Sequence, residues 1–172
     1  MEETLLDGSE PKKARPTFLT VLCILTFIGS GYGIVDSVID YFGAEKAEQI
    51  VGQVDETMDE AMDEIGESEE GEKAAELMET MVGDMMSSLT AENIRRLSIM
   101  SLISNILTLL GALLMWRLNK KGFYSYIAGI VILIISPLII LEGLIGLATA
   151  GFIGFIGVIF IVLYGLNLKH MS

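Results

Sequence analysis

Asp36 and Asp40 lie four residues apart, on one helical face of a segment that is apolar from Phe18 onward. A carboxylate within a hydrocarbon layer is costly and is by default a functional residue, here able to bind a cation or relay protons. The plainer reading is that the helix has already reached water by Asp36, because enough apolar residues precede it to cross a bilayer. Glu142 is the lone charge between residues 123 and 166. It is either a partner for Arg95 or Arg96 or a solvated turn residue. Met58, Met62, Met78, Met81, Met85 and Met86 concentrate thioethers in the middle of the chain. Thioethers are soft ligands suited to Cu(I), with Met78, Met81 and Met85 the candidate metal ligands. Those positions equally suit packing or an adaptable partner-binding surface, and no His, the commonest metal ligand, accompanies them. The acidic run DETMDEAMDE lacks the acid, glycine and closing Glu order of a calcium-binding loop. Phosphate-loop, zinc-protease, nucleophile-elbow and C-x-x-C motifs are all missing, so neither an enzyme nor a cofactor is expected.

Small and polar residues recur at helical spacing. Ser98, Ser101, Asn105, Thr108 and Ala112 follow steps of 3, 4, 3 and 4. Such a face either lines a narrow hydrated path or packs against another helix, with Asn105 bonding across. Gly29 and Gly33, and Gly146, Ala150 and Gly154, are spaced by fours. They let helices approach closely, within one chain or in a homodimer. Gly151, Gly154 and Gly157 add a second smooth ridge.

The elements that carry these residues follow from composition. Of 172 residues, 52% are hydrophobic, yet the formal net charge is −12. The two facts belong to different parts of the chain. Residues 43–94 hold 16 of the 23 acids and only Lys46 and Lys73 as bases, whereas the rest is nearly neutral. A patch this acidic repels phosphates, which argues against nucleic acid as a partner. The single Cys23 excludes an intrachain disulfide. It reads as a small core hydrophobe; Leu22 before it and the long apolar run after it argue against a lipidated cysteine or a cleaved leader.

A bilayer span needs about 20 mostly apolar residues. Four segments qualify, and the 44-residue stretch from Phe123 to Leu166 must fold back on itself. Glu142, Gly143 and Gly146 mark that turn. The expected division is a tail at 1–16, a first span at 17–42, an acidic insert at 43–94 and a second span at 95–117. A loop at 118–122, a third span at 123–141, a turn at 142–147, a fourth span at 148–168 and an end at 169–172 complete it. Each span should be helical, since backbone polar groups find no water in lipid. Pro137 should kink the third.

Lys12, Lys13, Arg15, Arg117, Lys120, Lys121 and Lys169 fall on one side of such a layout. The positive-inside rule then makes both termini cytoplasmic and the insert extracytoplasmic, against Arg95 and Arg96 on the outer side. Trp116, Tyr41, Tyr124, Tyr126 and Tyr164 lie near span ends and read as interfacial anchors.

Within the insert, two apolar stripes at steps of three and four predict helices over about 44–65 and 69–87, broken at GESEEG. Ser68 is a candidate cap for the second, and Thr90 for the helix that becomes the second span. Two helices with one stripe each make a thin core, so the hairpin should need a partner or its own copy.

The segments RPTFLTVLCILTFIGSGYGI (15–34) and LNKKGFYSYIAGI (118–130) resemble those of small four-span bacterial inner-membrane proteins. The resemblance implies a layout; that group has no assigned activity to transfer. The expected fold class is therefore an all-α integral membrane protein, with four transmembrane helices and an acidic hairpin protruding between spans one and two. The expected role is interaction: an accessory or scaffold subunit in a bacterial inner membrane that binds protein or itself through the hairpin or the small-residue faces. The alternatives are a small channel or transporter component with a polar path along the second span, and extracytoplasmic copper binding.

Overall fold

The computed structural model describes residues 16–65, 80, 82–141 and 143–171, with residues 54–65 described by backbone alone. It is all-helical, and four of its helices are long and apolar enough to cross a membrane. They are α1 (Thr17–Ile65), α2 (Ala91–Trp116), α3 (Lys121–Ile140) and α4 (Gly143–Gly165). A helical segment at 82–88 precedes α2, and a short 3₁₀ turn, Leu168–His170, follows α4.

α1 is 49 residues long and unbroken. At the helical rise it measures about 73 Å, more than twice a hydrocarbon layer. Pro16 opens it, its carbonyl accepting from the Thr20 N–H at 3.1 Å, and no proline follows to stop it. The first arm of the insert is thus the continuation of the first apolar helix. The chain before α2 behaves differently. Thr90 is extended, with φ −76° and ψ 153°, and its side chain accepts from the Asn93 N–H at 3.3 Å. This cap starts α2 afresh, so the segment at 82–88 does not run on into it. Ser68, Met78, Met81 and the break at 66–71 lie outside the described residues.

α2 ends in a Schellman turn. The Asn119 N–H reaches the Leu114 carbonyl and the Leu118 N–H reaches Met115. Leu118 occupies the left-handed position (φ 61°) that glycine usually takes, and it packs against the core. The turn between α3 and α4 is tighter than the expected 142–147 turn, and α4 starts at Gly143 rather than at 148. Leu141 is extended and bonds back to Pro137, and Gly143, at φ +65°, reverses the chain. Gly146 lies inside α4, where an added Cβ would stand 2.8 Å from the carbonyls of Pro137 and Leu141.

The helices pack in chain order, α1 on α2, α2 on α3 and α3 on α4, while α1 and α4 barely touch. The tightest seam joins α2 to α3. An added Cβ on Gly111 would lie 2.7 Å from the Gly122 carbonyl and the Tyr126 nitrogen. Hydrogen bonds cross this seam from Ser104 to the Gly129 carbonyl (2.5 Å) and from Ser125 to the Leu107 carbonyl (2.9 Å). At the end of the bundle that holds Pro16 and Met171, Leu19, Leu22, Cys23, Met115, Ile130, Met171, Tyr126 and Tyr164 form one buried core. Tyr126 and Tyr164 are therefore core residues, not the interfacial anchors their positions suggested. Their ring centroids lie 5.0 Å apart with the planes tilted by 59°, and Tyr164 shares a 2.7 Å hydrogen bond with Thr26. Tyr124 does face outward.

The outer surface of the bundle, apart from the projecting part of α1, is largely apolar: Ile28, Ile139 and Phe152 are 66% or more exposed. In each of the four apolar helices, at most 28% of the most apolar stretch is buried inside the protein. A contiguous apolar exterior on this scale fits contact with lipid, not water.

Candidate functional site

Because α1 and α4 part beyond Thr26 and Tyr164, the half of the bundle nearer the insert is open between them. A cavity of about 460 Å³ occupies its mouth. Asp36 and Asp40 of α1 line it with Ser98 and Ser101 of α2, Ser136 of α3 and Thr149 of α4. Below it lies a cavity of about 250 Å³, walled by Leu25, Gly29, Tyr126, Ile156 and Phe160, with Thr26, Ser30, Asn105 and Thr108 as its polar residues. Leu133 and Ile153 line both, so the two spaces adjoin. The lower one ends at the Thr26–Tyr164 bond and the buried core.

The spacing of the α2 stripe thus bears on two neighbours. Ser98 and Ser101 face the upper cavity. Thr108 donates to the Asn105 carbonyl (3.0 Å) and accepts from Ser30 of α1 (2.9 Å). Among the described residues Asn105 does not bond across to another helix. Its amide donates within α2, to the Ser101 carbonyl at 2.9 Å and to Ser101 Oγ at 3.2 Å. It stands instead against Gly33, where an added Cβ would lie 2.6 Å away. Among the described residues, Ser104 and Ser125 bond across to backbone carbonyls at the close α2–α3 seam and Ser30 bonds to Thr108, whereas Thr26 is reached from α4 by the long side chain of Tyr164.

The glycine patterns divide likewise. Gly146, Gly154 and Gly157 pack within the chain, against α3 residues Pro137, Ile134 and Ile130 respectively, with Ala150 buried between them. Gly29 and Gly151 face open space, with nothing within 4 Å of an added Cβ.

Asp36 and Asp40 are exposed at the cavity, and among the described residues neither has an ion-pair partner. The two nearby arginines are engaged elsewhere. Arg95 pairs with Glu45 of α1 at 2.6 Å, and Arg96 pairs with Glu92 one turn away. Glu142, the partner expected for one of these arginines, lies outside the described residues. Of the three candidate thioether ligands only Met85 is described, half-buried in the 82–88 segment. Among the described residues no group of three His, Cys, Asp or Glu is placed to hold a metal.

One polar residue of the site escaped the sequence reading. Asp84, in the 82–88 segment, accepts from the Leu144 N–H at 3.2 Å. It caps the first turn of α4, a helix whose own first turn holds no acid. Leu89, just beyond, lines the upper cavity, so the base of the insert forms part of its rim. The signal the sequence offered was a first turn of α4 that holds no acid of its own.

Fold and cavity define the class: an all-helical, multi-pass type of protein, its four apolar helices enclosing a cavity at one end. No protein-family model, no curated protein and no solved structure matches the chain.

Proposed function

We propose that the chain is an accessory or scaffold subunit of a bacterial inner membrane, docking protein partners or its own copy through the insert. Both termini lie in the cytoplasm and residues 43–94 outside it, by the distribution of Lys and Arg. The observation that carries this reading is the continuity of α1. One helix runs from the apolar bundle to Ile65, so whatever binds its projecting part is coupled to the bundle without a joint. Two ties hold the base of the insert: the Arg95–Glu45 pair and the Asp84 cap on α4. Beyond them Ile50 is 61% exposed on the projecting helix, an apolar group that a partner would cover. The test is photo-crosslinking from position 50 in intact membranes. Discrete adducts with a second copy or a defined protein are expected. A protein that stays monomeric and yields no adduct there is no scaffold.

A second reading, a small channel or transporter component, draws support from the cavity. Asp36, Asp40 and Ser101 lie along it, with Asn105 and Thr108 deeper in. A route through the bundle would have to open the core around Tyr164, so transport requires α1 and α4 to move. Solute or ion flux into liposomes that falls in Asp36→Asn and Asn105→Leu would favour this reading; flux indifferent to both removes it.

A further inference from the structure

We propose that the opening between α1 and α4 seats one lipid of the surrounding bilayer whose head group carries a protonated primary amine. The ammonium sits against Asp36 and Asp40, and an acyl chain lies in the groove below. The inference requires the chain to lie in a bilayer and depends on neither functional reading.

Three observations converge on this occupant. The first is charge. Asp36 and Asp40 place two carboxylates at one cavity mouth, and no cation among the described residues pairs with either. An ammonium offers three donors, which two carboxylates and the Ser101 hydroxyl can accept. A bare divalent ion fits less well, since it takes six or more oxygens in a compact shell.

The second is the shape of the space beneath. Gly29, Gly33, Asp36 and Asp40 follow steps of 4, 3 and 4 along one face of α1, with Asn105 of α2 standing against Gly33 between the acids and the open space at Gly29. Gly29 stands about 10 Å below Asp36 at the helical rise, and it has empty space where a side chain would be. Leu25, Phe152 and Ile156 make the lower walls apolar. The polar end and the apolar slot are thus stacked along the helix axis in the order of an amphiphile.

The third is access. α1 and α4 are the pair that barely touches, so the slot opens sideways, between helices whose outer faces are apolar. A water-soluble amine would meet the carboxylates but would have nothing to place in the slot. A lipid enters from the side with its head already at the level of the acids.

The test uses the full chain in nanodiscs, with phosphatidylethanolamine, phosphatidylcholine and phosphatidylglycerol of identical acyl chains offered in equal amounts. Lipid retained per chain is read by native mass spectrometry after release into mild detergent. One phosphatidylethanolamine per chain is expected, favoured over phosphatidylglycerol by about tenfold or more, as suits a charge-assisted bond. The Asp36→Asn/Asp40→Asn variant should lose that preference. Gly29→Phe, which fills the slot, should lose the bound lipid altogether with helicity unchanged by circular dichroism. Equal retention of phosphatidylglycerol or phosphatidylcholine by the unaltered chain overturns the proposal. So does a preference that survives the double substitution. Should the double variant fail to fold, the head-group ratio of the unaltered chain and the Gly29→Phe result decide the matter.

Discussion

The carboxylate of Asp84 accepts a hydrogen bond from the backbone N–H of Leu144, sixty residues further along the chain. This one contact places the base of the acidic insert over the start of α4. Gly143, at φ +65°, lies directly beneath it, where a side chain would run into Asp84. The turn between α3 and α4 and the base of the insert are therefore one structural unit.

Removing that cap should cost about 1 kcal/mol, the usual loss when a helix N-terminus forfeits its acceptor. Asp84→Ala should show it in thermal unfolding in detergent, whereas Asp84→Asn, a good cap without the charge, should retain most of the stability. Gly143→Ala should cost at least as much, from its left-handed backbone and from the clash. The combined variant should be less destabilised than the sum, because Asp84→Ala removes the clash that Gly143→Ala creates.

A second expectation concerns the closed end of the bundle. Tyr164→Phe leaves Thr26 with its hydroxyl buried and its cross-helix partner gone, a loss of about 1 kcal/mol. Adding Thr26→Val should restore part of it, since no orphaned hydroxyl then remains. Unfolding midpoints of the single and double variants check the sign of that coupling.

Glycines of this chain should respond to alanine in opposite ways. Gly111→Ala and Gly122→Ala place a methyl against the facing backbone of the α2–α3 seam, which should cost about 1–3 kcal/mol. Gly29→Ala and Gly151→Ala meet nothing and should be neutral, or stabilising by up to about 1 kcal/mol through helix propensity. Comparable destabilisation at all four positions would contradict the packing described.

Ser88 is fully buried, and among the described residues its hydroxyl has no hydrogen-bond partner. Ser88→Ala removes an unsatisfied polar atom and should stabilise the protein by about 1 kcal/mol. A loss of stability on that change would show that the hydroxyl is satisfied.

The proposed topology has its own check. Reporters fused at residues 70 and 172 should lie in opposite compartments, the first outside and the second in the cytoplasm. Finding both on one side would remove the four-span arrangement and the functional readings built on it.

Much of this architecture was legible in the chain. Runs of about 20 apolar residues and the Thr90 cap are local signals, and the four helices and the restart at α2 follow from them. Ser101, Asn105 and Thr108 share one side of α2 as their spacing requires, while the Asn105 amide bonds within its own helix and not across to another. The turn was misplaced by several residues because Gly146 is as plausible in a loop as in a helix. Only a neighbouring backbone, here the carbonyls of Pro137 and Leu141, shows why it is glycine. Tyr126 and Tyr164 were misread for a related reason: position near a span end does not say which way a ring points.

What the residue order determined by itself is the set of helices, since hydrophobic length and backbone hydrogen bonding are properties of each segment alone. What only the tertiary structure decided is which faces meet: that α1 and α4 part above the Thr26–Tyr164 bond, that Asp36 and Asp40 stand at the mouth of the gap, and that Asp84 caps a helix sixty residues away. Those relations depend on how helices of nearly uniform hydrophobicity rotate and tilt against one another. In such helices a few glycines and hydroxyls set the rotation, through contacts with residues far away in the chain.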